Sequence, residues 1–285
     1  MIEPFVDIEW VREHRDEVVL ADSRWYVDGR SGREEYRAGH IPGAVFIDLD
    51  TALTSHEDAA VGGRHPLAEP EDFAAAMGAL GIGDEDTVIA YDDAGGVIAA
   101  RLVWMLRVTG HEAALLDGGL AAWPGELEVG PPAAVDLTPG IRPLDRPRGG
   151  GFTARPWPAD LIASIEEAAA LASNGGTVLD ARPAERFAGA PDDLDPRPGH
   201  IPGSRSVPCR ENLDADGRLL AAVDLRARFA VEDAAEVISS CGSGVTACHN
   251  LLAMEQAGLG RGRLFPGSWS QWSRDPARPV QTGAS

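Results

Sequence analysis

A five-residue motif occurs twice in the chain and limits how the chain can fold. Gly-His-Ile-Pro-Gly stands at residues 39–43 and again, unchanged, at residues 199–203. Each copy follows an apolar run that ends in Asp-x-Arg, at residues 22–24 in the first case and 180–182 in the second. Because two such matched contexts rarely arise by chance, the sequence indicates two copies of one domain.

The similarity between the two halves continues downstream of the motif. Val-Ile-Ala-Tyr-Asp at residues 88–92 corresponds to Val-Ile-Ser-Ser-Cys at residues 237–241. A total of 285 residues also fits two domains better than one. We therefore predict an N-terminal domain, a Pro/Gly-rich linker and a C-terminal domain, at residues 1–130, 131–151 and 152–285.

Within each half, short apolar runs alternate with longer helical patterns. This alternation predicts an α/β fold in which a mostly parallel sheet carries helices on both faces. Residues 97–107 and 245–256 each form a helical pattern that follows a short apolar run. Asp92 and Cys241 therefore lie between a strand and a helix, at the edge of the sheet where α/β proteins bind ligands.

Charge and composition exclude several classes of partner. The chain has 45 acidic and 25 basic side chains, a net charge of −20, which disfavours nucleic acid and anionic membranes. It contains no apolar run of about 20 residues and no secretory pattern at its start, so we expect a cytoplasmic protein. Without a Cys-x-x-Cys pair, and with His40 and His200 more typical of turns, we expect no metal and no cofactor.

The loop around Cys241 is the strongest candidate for chemistry. Glycines at 242 and 244 let successive backbone N–H groups point inward, and the following helix adds the positive end of its dipole. Both effects favour a thiolate over a thiol. The alternative is a buried, inert cysteine beneath a glycine turn.

These features together resemble a known family. Cys-Gly-Ser-Gly-Val-Thr-Ala at residues 241–247, the two Gly-His-Ile-Pro-Gly copies and Gly-Ser-Trp-x-x-Trp at residues 267–272 are similar to tandem rhodanese domains, in particular to the 3-mercaptopyruvate sulfurtransferases. The resemblance implies a scaffold domain with Asp92 at the nucleophile position and a catalytic domain with Cys241. It also implies that the loop binds the transferred sulfur through four residues: Gly242, Gly244, Val245 and Thr246.

The resemblance assigns further residues to the site. It implies that Arg186 and Arg197 bind the carboxylate and keto groups of the donor, a task that suits the planar guanidinium fork. It also implies a proton relay from Ser243, His65 and Asp50. The structural alternatives are surface arginines, a turn serine, a loop histidine and a helix-capping aspartate.

The predicted reaction transfers sulfur from 3-mercaptopyruvate to Cys241, which forms a persulfide, and releases pyruvate. Cyanide or a thiol such as thioredoxin then accepts the sulfur. Members that use thiosulfate carry basic residues after the cysteine, where this chain has Gly242 and Ser243. A cysteine phosphatase would need an arginine six residues after the cysteine, where this chain has Ala247, so the sequence disfavours phosphatase activity. The alternatives are a thiosulfate:cyanide sulfurtransferase, a persulfide-carrying or interaction module without turnover, and a catalytically silent structural protein.

The two other cysteines are open to two interpretations. Cys248 lies two helical turns after Cys241, so it could resolve an oxidised thiol, but its apolar helical neighbours favour a place in the core. For Cys209, which follows Val207 and Pro208, the sequence leaves both interpretations open: a redox-active thiol or a residue of the core.

Overall fold

The computed structural model describes residues 1–131 and 151–283. The strands in this part of the chain are β1 Phe5–Val6, β2 Val18–Asp22, β3 Val45–Phe46, β4 Thr87–Tyr91, β5 Ala113–Leu116, β6 Thr177–Asp180, β7 Arg205–Ser206, β8 Val237–Ser240 and β9 Arg263–Leu264. The α-helices are α1 Ile8–Glu13, α2 Gly32–Ala38, α3 Leu49–Ala52, α4 Ala59–Gly62, α5 Pro70–Ala79, α6 Ala100–Val108, α7 Ile165–Ser173, α8 Ala184–Ala188, α9 Ala222–Phe229, α10 Ala247–Gln256 and α11 Ser268–Trp272. Among the described residues, no helix combines the length and the apolar character that crossing a membrane requires.

The chain divides into two compact units. The first comprises Met1–Leu53 and Ala68–Pro156, and the second comprises Thr54–Leu67 and Trp157–Ser285. Segment Thr54–Leu67 therefore packs with the second unit, although its position in the sequence counts it with the first domain. The predicted linker lies almost wholly outside the described residues, so the predicted boundaries stay a prediction.

The first unit is built on a five-stranded sheet in the order β1-β5-β4-β2-β3, with every pairing parallel. All five residues of β2 are buried, which requires cover on both faces of the sheet. On one face, Leu20 and Ile89 pack with Val11 of α1. Across the central pair of strands, Asp22 lies opposite Tyr91, one residue before Asp92.

The second unit repeats this plan with a four-stranded parallel sheet in the order β7-β6-β8-β9. Asp180 at the end of β6 lies opposite Ser240 at the end of β8, one residue before Cys241. Ile238 of β8 packs in a core cluster with Trp269 and Trp272 of α11. The prediction of two α/β domains with parallel sheets is confirmed.

The repeated motif forms the same turn in both units. Its last glycine takes a left-handed conformation, with φ of 72° at Gly43 and 82° at Gly203. His40 stacks on Tyr36 at 3.8 Å between ring centroids, and its Nδ1 hydrogen-bonds to Tyr36 O. His200 likewise stacks at 3.6 Å on Phe187 and hydrogen-bonds to its carbonyl. Both histidines therefore shape turns, as the sequence indicates.

A buried ion pair joins each motif to the sheet. Arg24 Nη2 lies 2.7 Å from Asp22 Oδ2 and also donates to Gly39 O at 2.8 Å. The second unit repeats both distances between Arg182, Asp180 and the carbonyl of Gly199. The arginine thus connects the end of a central strand to the first residue of the motif.

We predict that Arg24→Ala lowers the free energy of unfolding by about 3–5 kcal/mol, because it leaves the fully buried Asp22 carboxylate unpaired. Arg30→Ala is the matched control, since Arg30 pairs with Asp28 at the same sequence spacing but both side chains are 54% exposed. Urea unfolding followed by tryptophan fluorescence measures both variants. Equal midpoints for the two would contradict the stabilising role of the buried pair.

Candidate active site

Cys241 stands directly after β8, in a loop that leads into α10. Its Sγ is buried and accepts a hydrogen bond from Gly244 N at 3.1 Å. Gly244 has φ of 75°, and a Cβ there would collide with the carbonyl of Pro266. The loop therefore requires glycine at this position to place an N–H group against the sulfur.

Residues of α11 fix the backbone of this loop. Cys241 N donates to Ser268 Oγ at 3.0 Å, and Cys241 O accepts from Trp269 N at 3.0 Å. Ser270 N donates to Gly242 O at 2.8 Å. Ser268 has φ of 49°, an unusual value for a residue with a Cβ. The Gly-Ser-Trp-x-x-Trp motif thus anchors the cysteine loop as well as the core.

The corresponding loop of the first unit shows what such a loop can hold. Asp92 occupies the position of Cys241, and its carboxylate is fully buried. It accepts four backbone hydrogen bonds of 2.7 to 3.0 Å, from the N–H groups of Ala94, Gly96, Ile98 and Ala99. A loop at this edge of the sheet can therefore solvate an anion with backbone amides alone.

Ser243 and His65 come together in the second unit. Ser243 Oγ and His65 Nδ1 are hydrogen-bonded at 2.7 Å, and both side chains are buried. This contact forms because Thr54–Leu67 packs with the second unit. Asp50 lies in the first unit, in α3, where Trp25 Nε1 donates to its carboxylate at 3.2 Å. Of the predicted relay, the structure thus pairs the serine and the histidine.

Arg186 lies in α8, and its guanidinium reaches towards the cysteine loop. A Cβ placed on Gly242 would be 3.7 Å from Arg186 Nη1. Its Nε donates to Asp192 at 2.6 Å, and its Nη2 lies 3.4 Å from Asp195. Arg186 is therefore a cation beside the Cys241 loop, paired in this structure with carboxylates of its own chain.

Arg197 is hydrogen-bonded to the backbone of its own chain in the structure. Its guanidinium donates to four backbone carbonyls at 2.5 to 2.9 Å, those of Trp272, Ser273, Asp275 and Arg278. Trp269 Nε1 also donates to Arg197 O. A guanidinium with four of its five N–H groups engaged in this way fixes the chain after α11. That Arg197 binds the donor stays a prediction from the sequence, although these hydrogen bonds occupy most of its N–H groups.

Arg64 also lies against the cysteine loop, and the sequence analysis did not find it. Its Nη2 would lie 3.0 Å from a Cβ on Gly242, nearer than Arg186. Burial lowers the pKa of Arg64, and the charge of Asp195 acts in the opposite direction. Its position directly before His65 in the sequence was the one available signal, since both then reach the same loop.

The remaining loop residues and cysteines have structural surroundings. Val245 is buried, and Thr246 precedes α10 as its N-cap residue. Burial raises the pKa of Cys209 to about 12, against the effect of a hydrogen bond with Thr246. Cys248 is fully buried and its Sγ donates to Gly244 O at 3.4 Å, which fits the core interpretation.

Within residues 1–131 and 151–283, no group of three or more His, Cys, Asp or Glu side chains is placed to hold a metal ion.

Known proteins resemble this chain over nearly its whole length. A probable 3-mercaptopyruvate sulfurtransferase of Pseudomonas aeruginosa is 40% identical, covering 94% of this chain and 93% of that protein. Thiosulfate/3-mercaptopyruvate sulfurtransferase 2 of Arabidopsis thaliana is 33% identical, covering 99% and 88%. The solved structure of 3-mercaptopyruvate sulfurtransferase from Leishmania major superposes with a TM-score of 0.80 at 31% identity, covering 95% of this chain and 74% of that one.

The family model of the rhodanese-like domain matches twice, at residues 7–126 and 164–275. The first match contains β2 to β5 of the first sheet, and the second contains all four strands of the second sheet. The chain therefore belongs to the rhodanese family, with two rhodanese-like domains in tandem.

Proposed function

We propose that this chain is a sulfurtransferase that takes sulfur from 3-mercaptopyruvate through a persulfide on Cys241. The observation that carries this proposal is the placement of Cys241 Sγ, buried at a strand end and bonded to the N–H of Gly244. The Asp92 loop supports it, because the equivalent backbone in the first unit donates four N–H hydrogen bonds to the oxygens of one buried side chain. The names of the two relatives are consistent with this activity.

The first half-reaction starts with attack by the Cys241 thiolate on the sulfur of 3-mercaptopyruvate. The bond between sulfur and C3 of the donor breaks, and its electron pair stays on the carbon as the enolate of pyruvate. A proton then reaches C3 and pyruvate leaves. The hydrogen-bonded pair of Ser243 and His65 is positioned to deliver that proton. The role of Asp50 in orienting His65 remains a prediction from the sequence.

The second half-reaction returns the enzyme to its starting form. An acceptor thiolate, such as that of thioredoxin or a small thiol, attacks the outer sulfur of the persulfide, and the Cys241 thiolate is the leaving group. Cyanide would give thiocyanate in the same way. Backbone amides of the loop, including that of Gly244, stabilise the anionic persulfide between the two steps.

Arg186 is the proposed ligand of the donor's carboxylate. Its guanidinium lies alongside Gly242, the residue after the nucleophile, and is about one fifth exposed. An arginine fork matches a carboxylate with two parallel hydrogen bonds. Binding of a carboxylate by Arg186 would make the site prefer a donor that is a carboxylic acid.

Thiosulfate is a second possible donor, and one observation favours it. Arg64 Nη2 places a guanidinium beside Gly242, where the loop itself has no basic side chain. Thiosulfate is a small dianion, so a cation at this point would attract it.

The persulfide is tested directly by mass spectrometry. We predict that the protein gains the mass of one sulfur atom on Cys241 after treatment with 3-mercaptopyruvate, and that Cys241→Ser gains none and transfers no sulfur. Cys209→Ala is the control that retains the nucleophile and should still gain the sulfur. Sulfur transfer by a folded Cys241→Ser variant would exclude this mechanism.

The two arginines should respond differently to substitution. We predict that Arg186→Ala raises KM for 3-mercaptopyruvate roughly 30- to 150-fold, since an unpaired carboxylate costs about 2–3 kcal/mol. Arg197→Ala removes four hydrogen bonds to carbonyls, so it should lower the melting temperature and leave KM within about twofold. Steady-state kinetics and thermal unfolding measure both variants. A reversed pattern would support donor binding by Arg197 and remove Arg186 from the site.

The two donors are compared through kcat/KM. We predict the higher value for 3-mercaptopyruvate, because its planar carboxylate accepts two parallel hydrogen bonds from the Arg186 fork, whereas thiosulfate has no carboxylate. Both donors are assayed with the same thiol acceptor. A higher kcat/KM for thiosulfate would favour the alternative activity.

A further inference from the structure

Three arginines of the second unit converge on one buried carboxylate. The Asp195 side chain is 2% exposed and forms an ion pair with Arg64 Nη1. Arg186 Nη2 lies 3.4 Å from the second carboxylate oxygen, and Arg274 Nη1 lies 3.5 Å from the first. Asp195 thus faces three guanidinium groups at once.

This cluster lies next to the nucleophile. Arg64 Nη2 and Arg186 Nη1 would be 3.0 and 3.7 Å from a Cβ on Gly242. In 3-mercaptopyruvate, three bonds separate the sulfur from the carboxylate carbon, so the carboxylate must bind close to the sulfur that Cys241 attacks. The guanidinium groups that now bind Asp195 are the ones within reach of that position.

We propose that Arg64 and Arg186 together bind the donor's carboxylate, and that Asp195 is a resident carboxylate which occupies them until the donor displaces it. The identity of the donor rests on the proposed function. The charge balance of the cluster explains the arrangement, because half-buried guanidinium groups without a counter-ion would be costly. Exchange of one carboxylate for another keeps both arginines paired throughout.

The segment that carries Asp195 is built to hold this position and has space beside it. Asp192 Oδ1 accepts hydrogen bonds from Leu194 N at 2.8 Å and Asp195 N at 3.2 Å, which form a tight turn. Arg64 Nη1 also donates to Leu194 O at 3.1 Å. The same segment lines a cavity of about 610 Å³ together with Arg274, which gives Asp195 room to move aside.

The two possible roles of Asp195, a competitor of the donor or a structural partner of the arginines, predict opposite changes in anion affinity when its charge is removed. If Asp195 competes with the donor, removing its charge strengthens anion binding. If Asp195 only orients the arginines, removing its charge weakens anion binding. The sign of the change therefore decides between the two roles.

The probe is pyruvate, which has the carboxylate and keto groups of the donor but no sulfur. Its Kd is measured by titration calorimetry on the full chain with Cys241→Ser, which prevents turnover. We expect Asp195→Asn to lower this Kd about tenfold, and Arg64→Gln to raise it at least tenfold, with partial recovery in Arg64→Lys. Asp193→Asn is the matched control, because it removes one negative charge from the same segment at an exposed position. It should leave Kd within about twofold.

An unchanged or higher Kd in Asp195→Asn, or an unchanged Kd in Arg64→Gln, would overturn the proposal. Circular dichroism of each variant shows whether a loss of affinity comes from misfolding, and Arg64→Lys gives a second reading of the same position. The result is independent of the sulfur-transfer test. If Cys241 takes up sulfur while these affinities stay equal, this inference fails and the proposed function stands. If the affinities change as expected but Cys241 takes up no sulfur, the anion site stands without the transferase activity.

Discussion

A buried carboxylate at the end of a central strand organises each unit of this protein. The side chains of Asp22 and Asp180 are almost wholly shielded from water, so each needs a cation within reach, and the arginine two residues later supplies it as a fork. Another N–H group of the same guanidinium donates to the carbonyl of the first residue of the Gly-His-Ile-Pro-Gly motif. Desolvation of one carboxylate therefore determines where the strand ends and where the next turn begins.

In the second unit this constraint extends to Cys241. The Arg182 guanidinium lies 4.9 Å from the ring centroid of Trp269, and Trp269 N donates to Cys241 O. Asp180 and Ser240 are register partners, so the paired strand ends also place the cysteine loop beside the ion pair. The position of Cys241 is thus fixed by packing and hydrogen bonds that also stabilise the fold. In the first unit the equivalent position holds Asp92. Its carboxylate accepts hydrogen bonds from four backbone N–H groups of its own loop.

Much of this could be predicted from the sequence, because repetition and periodicity are local properties. The duplicated motif gave the two domains, and the glycines around Cys241 indicated an amide-lined loop. Side-chain destinations could not be predicted in the same way. Arg197 stands near the motif, yet its guanidinium binds carbonyls more than 70 positions later, where the chain after α11 passes. Arg64 reaches the loop because residues 54–67 join the second unit, which depends on long-range contacts rather than on composition.

The acidic composition of the chain is compatible with an anionic donor for a physical reason. Charges on a protein surface are screened over about 8 Å at physiological ionic strength, so the net charge of −20 acts weakly on a ligand already inside the site. Half-buried guanidinium groups at contact distance act in a lower dielectric and dominate there. Arg64 and Arg186 both lie within 4 Å of the position that a side chain on Gly242 would occupy. Local arrangement of arginines, rather than their number in the chain, therefore decides what this site can bind.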